Sequence, residues 1–325
     1  MNICMVGHGM MGVWHSDALK DRSDVVLHTL VGRREEPTKE FAARYGYRRW
    51  TLHLAEALAD PAIDAVVVAS PSEQHAAHAL ACIAAGKPIL LEIPIAMSRK
   101  EAEQVARAAA KAGVMVAMCH PMRFRRERDP IVERLRGGEE RLRHLAGRFF
   151  IPRLENVGAT GYRRSWTDNI LWHHFCHFID LACFLFGDAK IRRVQSHMSG
   201  IHERTGIPME CVVLVETEAE QSFLVHGSYH ASFRLYDKLL VTDRDTYLFD
   251  ILENSLRTRE GVAAIEDEKT NCARVTHDFV DALRDGRAPR APAASALPAM
   301  RIIQRVQDAW DAHHGARPLP GRPGG

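Results

Sequence analysis

No stretch of this 325-residue chain approaches the roughly 20 consecutive apolar residues needed to cross a bilayer, so no membrane span is expected. A strong charge of either sign is also missing. Lys and Arg number 43 against 41 Asp and Glu, a formal net charge of +2, too balanced to suggest nucleic acid or an anionic membrane as partner. A disulfide framework is absent from the pattern: Cys4, Cys82, Cys119, Cys176, Cys183, Cys211 and Cys272 are odd in number, scattered and mostly embedded in apolar stretches. They read as reduced thiols filling the core of a cytoplasmic protein. No basic segment precedes the first apolar run, Met1 to Val6, which reads as a buried strand and not as a secretory leader. Internal repeats are lacking. What remains is ordinary for a globular protein, with 46% hydrophobic and 26% charged residues over a length sufficient for two domains.

The first third of the chain alternates short aliphatic runs with helical patterns. Ile3 to Val6, Val25 to Val31, Ala65 to Ala69, Pro88 to Glu92 and Val114 to Cys119 are expected as strands of a parallel sheet buried on both faces. Between them, one helix is expected from Ser72 to Ala85, closed by Gly86. Another opens at Ser98, where Ser98 and Glu101 have the capping-box spacing. Such a βαβ series is the signature of a doubly wound Rossmann domain, expected over residues 1–122. After that the rhythm changes. A helix near Pro130 to Arg136, a strand from Leu142 to Ile151, a loop to about Thr167 and an apolar helix from Asn169 to Phe186 are followed by strands without crossover helices. Those strands are Arg192 to Met198, Glu210 to Glu216, Ser222 to Ser232, Lys238 to Thr242 and Asp245 to Leu252. They predict a largely antiparallel sheet, and helices from Thr270 to Arg284 and Ala294 to His313 close an α+β substrate domain over residues 123–315. The Pro/Gly-rich residues 316–325 read as a disordered tail.

Gly7-His8-Gly9-Met10-Met11-Gly12 is a G-x-G-x-x-G placed directly after the first strand and opening the helical stretch Val13 to Leu19, the context that gives the motif meaning. Gly7 permits the tight turn, Gly9 lets backbone approach a pyrophosphate and Gly12 allows close helix–strand packing. The end of the second strand discriminates between nicotinamide cofactors. An NAD site usually carries an acid there for the ribose 2′-hydroxyl, whereas this chain reads Gly32-Arg33-Arg34. Guanidinium groups suit a 2′-phosphate, so NADP is expected, with NAD as the weaker alternative. Ser70, Pro71 and His75, in a loop at a strand's carboxyl end, are further cofactor candidates, although His75 reads equally as an exposed residue of a helix's first turn.

The densest group of polar residues in an apolar setting runs from Arg163 through Arg164, Trp166 and Asp168 to Trp172, His173, His174, His177 and Asp180. On a helix His173 and His177 share a face, with Asp180 a turn later. Buried imidazoles need partners, and three roles compete. Zinc could use the two histidines with Cys176, but there is no His-Glu-x-x-His and no second ligand cluster, so no metal is expected. One histidine, His174 above all, could be a hydrogen-bonded core residue. Proton transfer by His173 or His177, supported by Asp168, is the favoured role, because an alcohol losing hydride must also lose a proton. Arg123, Arg163 and Arg164 lie in loops where they suit a small anionic substrate.

These motifs resemble the glucose-fructose oxidoreductase, inositol dehydrogenase and MocA family (Gfo/Idh/MocA). The resemblance spans nearly the whole chain, through Gly7 to Gly12, Val66 to Pro71, Glu92-Ile93-Pro94 and His173 to Asp180 leading to Gly187. It implies an NAD(P)-dependent dehydrogenase acting on a CH–OH group, a homodimer, and Glu92 and Pro94 beside the cofactor. One departure is sharp. The family usually reads Glu-Lys-Pro, its lysine assisting proton abstraction from a sugar or cyclitol, and here Ile93 stands in the lysine's place. A narrower resemblance lies in Gly32-Arg33-Arg34, Thr38-Lys39-Glu40, Tyr45-Gly46, Arg164-Ser165-Trp166-Thr167-Asp168 and Leu171-Trp172-His173-His174. It is to members of aromatic degradation that oxidise the cyclic hemiacetal of a dicarboxylated semialdehyde with NADP. A hemiacetal hydroxyl is more acidic than a sugar alcohol, so a histidine base suffices. The arginines would hold carboxylates, Trp166 or Trp172 would cover the ring, and His174 would line the substrate. A sugar or cyclitol dehydrogenase is the rival reading, disfavoured by Ile93. A non-catalytic NADP-binding sensor is another, opposed by His173, His177 and Asp168.

Overall fold

The computed structural model describes all residues except 154, 156, 158–164 and 316–325. Arg163, Arg164 and the expected tail therefore lie outside the described residues. The chain forms two compact units, Met1–Pro121 with Cys272–Leu297, and Met122–Asn271 with the chain from Pro298.

The first unit is built on strands that are mostly buried on both faces. In chain order they and their helices are β1 (Asn2–Val6), α1 (Met10–Leu19), β2 (Val26–Val31), α2 (Glu35–Tyr45), β3 (Arg49–Thr51), α3 (Leu54–Ala59), β4 (Ala65–Val68), α4 (His75–Ala84), β5 (Ile89–Leu91), α5 (Arg99–Ala112) and β6 (Val116–Met118). All six strands are parallel in the order β3-β2-β1-β4-β5-β6, the doubly wound arrangement. Ser98 caps α5: its hydroxyl accepts the Glu101 N–H at 3.2 Å and donates to the Glu101 carboxylate at 2.8 Å. The helix expected from Ser72 instead begins as a 3₁₀ turn over Ser72–Gln74 and becomes α-helical at His75. The three-residue β3 is mostly exposed and carries no apolar run to announce it.

The division at residue 122 was too simple. Residues 272–297, assigned to the second domain on sequence, join the first unit. The reason is an edge to be paired: the Met118 N–H donates to the Ala291 carbonyl at 2.7 Å, and Ala117 bridges Pro292, so returning chain covers the free side of β6.

The second unit contains α6 (Asp129–Arg136), β7 (Leu142–Pro152), α7 (Cys176–Phe186), β8 (Ile191–Met198), β9 (Glu210–Thr217), β10 (Ser222–Ser228), β11 (His230–Thr242), β12 (Thr246–Asp250), β13 (Ser255–Thr258) and β14 (Gly261–Ala264). The helices α8 (Glu268–Asp285) and α9 (Leu297–His314) each cross the boundary between the units along the chain. Its sheet runs β14-β13-β12-β11-β7-β10-β9-β8 and is antiparallel except between β7 and β10. Two expected strands differ. The run drawn from Ser222 to Ser232 stops at Ser228, where the Tyr229 N–H turns to the Met209 carbonyl at 2.8 Å. The strand expected from Lys238 starts at His230, but its register slips between His230 and Leu235, so alternation there is lost. α7 lies close on β7 because Gly147 has no side chain; a Cβ there would sit 2.2 Å from the Phe178 ring.

Candidate active site

The glycine turn between β1 and α1 is fixed by contacts that no other residue could make. Gly7 has φ +101, and a Cβ on it would lie 2.4 Å from the Ala69 carbonyl oxygen; a Cβ on Gly12 would lie 2.5 Å from the Gly7 oxygen. Strand β1, the end of β4 and the first turn of α1 thus close on one another around these two residues. Gly9, by contrast, meets nothing within 4 Å, and it caps α1 without any side-chain hydrogen bond and without an acid in the first turn. Uncapped amides at Met10 and Met11 and the helix dipole suit a dinucleotide's pyrophosphate. At the end of β2, Gly32 is buried while Arg33 and Arg34 are exposed, with no ion pair among the described residues.

His75 is not exposed. It is buried, with Nδ1 2.7 Å from the Pro94 carbonyl and Nε2 2.8 Å from the Ser70 carbonyl, so the ring ties together the loops after β4 and β5. The peptide Ile93-Pro94 is cis. Glu92 turns inward: its Oε1 lies 2.8 Å from His15 Nε2, and the side chain is buried in the first unit. His15, Cys119 and Cys272 gather around it with every ligand atom within 4.8 Å of the others, a cluster whose members are scattered in sequence.

In the second unit the helix expected from Asn169 is two pieces, a π-helix over Leu171–Phe175 and then α7, and a 3₁₀ turn over Trp166–Asp168 precedes it. The buried Asn169 side chain drives the change, its Oδ1 accepting the Leu171 and Trp172 N–H groups at 3.0 and 3.2 Å. Such π segments interrupt helices at a cost in hydrogen bonding and concentrate at functional sites. His173 lies on this segment. Its Nδ1 is 3.5 Å from Asp168 Oδ1, while Asp168 Oδ2 accepts the Ser165 N–H at 2.9 Å. Asp168 is thereby anchored to its own turn and faces the imidazole. His173, His174 and His177 are all half-buried. His174 Nδ1 is 2.6 Å from the Tyr229 hydroxyl, and its ring stacks on Phe149 at 4.2 Å.

Arg123 and Trp172 are held away from solvent. Arg123 meets the chain's own Asp180: Nε donates to Oδ2 at 2.7 Å, and a second guanidinium nitrogen donates to Oδ1, both side chains being buried. Burial pushes the Asp180 carboxyl upward, against the opposing pull of this guanidinium. Trp172 is fully buried and donates its indole N–H to Gln307 at 2.7 Å, a core role. Trp166 packs against Trp310, with ring centroids 4.9 Å apart.

Sequence reasoning passed over Tyr229 and Lys238. Lys238 is 1% exposed on β11, with Nζ 3.3 Å from the Tyr236 hydroxyl, 3.8 Å from Glu268 Oε1 and 5.4 Å from the centre of the Phe178 ring. Burial lowers its pKa to about 7. A charged residue at an inward position of an alternating strand was the available signal.

The N-terminal residues 1–120 match the family model described as "Oxidoreductase family, NAD-binding Rossmann fold", and residues 128–253 match "Bacterial oxidoreductases, C-terminal". A 4-carboxy-2-hydroxymuconate-6-semialdehyde dehydrogenase from a Sphingobium species is 30% identical over 297 residues, 89% of this chain and 92% of the relative. The chain belongs to the Gfo/Idh/MocA oxidoreductase family. A scyllo-inositol 2-dehydrogenase (NADP(+)) from Bacillus subtilis is 30% identical over 38% of this chain and 34% of its own length. The solved structure of GenD2 from gentamicin A biosynthesis, in complex with NAD, superposes with a TM-score of 0.81 at 23% identity, over 95% of this chain and 93% of that one. The fold and a dehydrogenase assignment within a family of nicotinamide-dependent enzymes follow. Among the described residues no helix is long and apolar enough to cross a membrane, and no disulfide joins the cysteines.

Proposed function

We propose that the chain is an NADP-dependent dehydrogenase that oxidises the cyclic hemiacetal of 4-carboxy-2-hydroxymuconate-6-semialdehyde to 2-pyrone-4,6-dicarboxylate, in protocatechuate 4,5-cleavage. The observation that carries this reading is the pairing of His173, on the π segment, with Asp168, on the 3₁₀ turn before it, in a chain whose strand end bears Ile93 where the family carries a lysine. The full-length similarity to the Sphingobium enzyme supports the choice of substrate.

NADP supplies the hydride acceptor. Gly9, with the amides of Met10 and Met11, would receive the pyrophosphate, and the exposed Arg33 and Arg34 the 2′-phosphate. Ser70, Pro71 and Pro94 offer backbone held by the buried His75. Asp168 faces Nδ1 of His173 and so directs Nε2 to the hemiacetal hydroxyl, whose proton it takes as hydride leaves the same carbon. Asp168 stabilises the imidazolium that results. His177 supports the same step, and His174, fixed by Tyr229 and Phe149, lines the ring. Arg163 and Arg164 are the proposed carboxylate ligands; Arg123, engaged by Asp180, is assigned to holding α7 in place. A cytoplasmic homodimer is proposed, supported by the exposed apolar residues Val212 and Phe233 on β9 and β11.

The test is reduced-nicotinamide formation with the semialdehyde against a panel of sugars and inositols, each with NADP and NAD. Turnover on the semialdehyde with NADP is expected. Turnover restricted to polyols would replace this reading with the cyclitol dehydrogenase one, and tight NADP binding without any turnover would replace it with a sensor.

A further inference from the structure

Four elements of the first unit each send one metal-ligating side chain to a common point: His15 from α1, Glu92 from just beyond β5, Cys119 from just beyond β6, and Cys272 from α8. All four are buried, and their ligand atoms lie within 4.8 Å of one another. We propose that His15, Glu92, Cys119 and Cys272 are the ligands of a structural zinc ion that ties the returning segment 272–297 to the parallel sheet.

The donor set suits that ion. Two thiolates and an imidazole select zinc over magnesium or calcium, and one ligand from each of four elements fills a closed tetrahedral shell. Bond lengths of about 2.0–2.3 Å at tetrahedral angles require ligand atoms about 3.3–3.8 Å apart, within small side-chain shifts of the arrangement found. The His15–Glu92 contact of 2.8 Å would open slightly to admit the ion.

The second shell is also in place. The Thr276 hydroxyl donates to the Cys272 carbonyl at 3.1 Å, so its oxygen accepts from His15 Nδ1–H at 2.8 Å. This fixes the ring with Nε2 directed at Glu92, the arrangement by which ligating histidines are held. With Nδ1 donating to Thr276, the close approach of Nε2 to the Glu92 carboxylate also needs a positive centre between them. A proton meets that need without metal, as does zinc with it. Cysteine ligates zinc as the thiolate, so both thiols give up their protons on binding. Zinc binding displaces the two thiol protons and the one shared by His15 and Glu92, three in all, and leaves a site of net charge −1. Apolar residues would fill this position at lower desolvation cost.

The experiment is metal analysis of the full-length chain, expressed with zinc in the medium and dialysed exhaustively, beside Cys119→Ser/Cys272→Ser. About one zinc per wild-type chain is expected, with a several-fold lower content in the double variant. Wild-type protein refolded with cobalt(II) is expected to display thiolate-to-cobalt charge-transfer absorption and the intense visible bands of a tetrahedral site. A folded, dialysed wild-type chain without stoichiometric zinc would overturn the proposal. So would zinc retained without any thiolate signature in the cobalt form, which would assign the metal to other histidines. If the double variant does not fold, the wild-type stoichiometry and cobalt spectrum decide alone. Neither readout depends on catalytic activity, so failure here leaves the dehydrogenase reading intact.

Discussion

The glycine turn after β1 and the histidine segment before α7 are both junctions where polar chemistry meets a buried element, but they are made differently. At the turn, the constraint is backbone against backbone: Gly7 and Gly12 are needed because the chain itself passes within 2.5 Å of where a Cβ would be. At the histidine segment the constraint is side chain against distant side chain. Asp168 faces His173 across one irregular turn, Tyr229 holds His174, and Arg123 holds Asp180 from 57 residues away. A site built from backbone requirements tolerates little variation in residue type, while a site built from partner selection can change chemistry without changing fold.

Four variants would sharpen or break that contrast. His173→Asn should lower kcat by about 10²–10⁴-fold while dinucleotide binding stays near wild type. Steady-state rates within a few-fold of wild type would remove His173 from proton transfer. Arg123→Met should destabilise the fold by about 3–5 kcal/mol, because it leaves the buried Asp180 carboxylate uncompensated. Denaturant titration measures this, and a loss below about 1 kcal/mol would return Arg123 to the list of substrate ligands. Arg33→Ala with Arg34→Ala should raise the KM for NADP by about 10–100-fold and leave that for NAD little changed. Equal losses for both cofactors would refute the 2′-phosphate assignment.

The smallest effect is one of pH. Lys238 has its pKa lowered to about 7 by burial, from 10.5, with Glu268, Arg128, Arg125, Asp237 and Tyr236 as its charged and titratable surroundings. Between those values the unfolded chain binds a proton that the folded chain does not. This contribution to stability therefore rises with pH from about 7 to about 10.5 and stays at its low level below that window. Lys238→Met should flatten the rise in midpoint across that range; an unchanged slope would mean the ammonium stays charged inside the fold.

The same contrast explains what the sequence disclosed. The parallel sheet, the phosphate turn and the Ser98 cap were legible because each depends on residues close in sequence. His75 was misjudged as plausibly exposed because its acceptors, Ser70 and Pro94, lie in two different loops. Arg123 and Trp172 looked available because Asp180 and Gln307 could not be paired with them by spacing. The cluster of His15, Glu92, Cys119 and Cys272 was invisible for the same reason, since its members come from four places in the chain. The π segment needed knowledge of where the Asn169 side chain would point.

The return of residues 272–297 to the first unit bears on how the protein is made. As the chain leaves the ribosome, β1 to β6 emerge early, but the neighbour of β6 at Ala291 is translated only after residues 122–271. Until then the nascent cofactor domain carries an open sheet edge beside the Cys119 thiol, a surface open to pairing with another nascent chain. A stop codon or truncation before residue 291 would therefore yield a sticky intermediate and not an independent nucleotide-binding fragment.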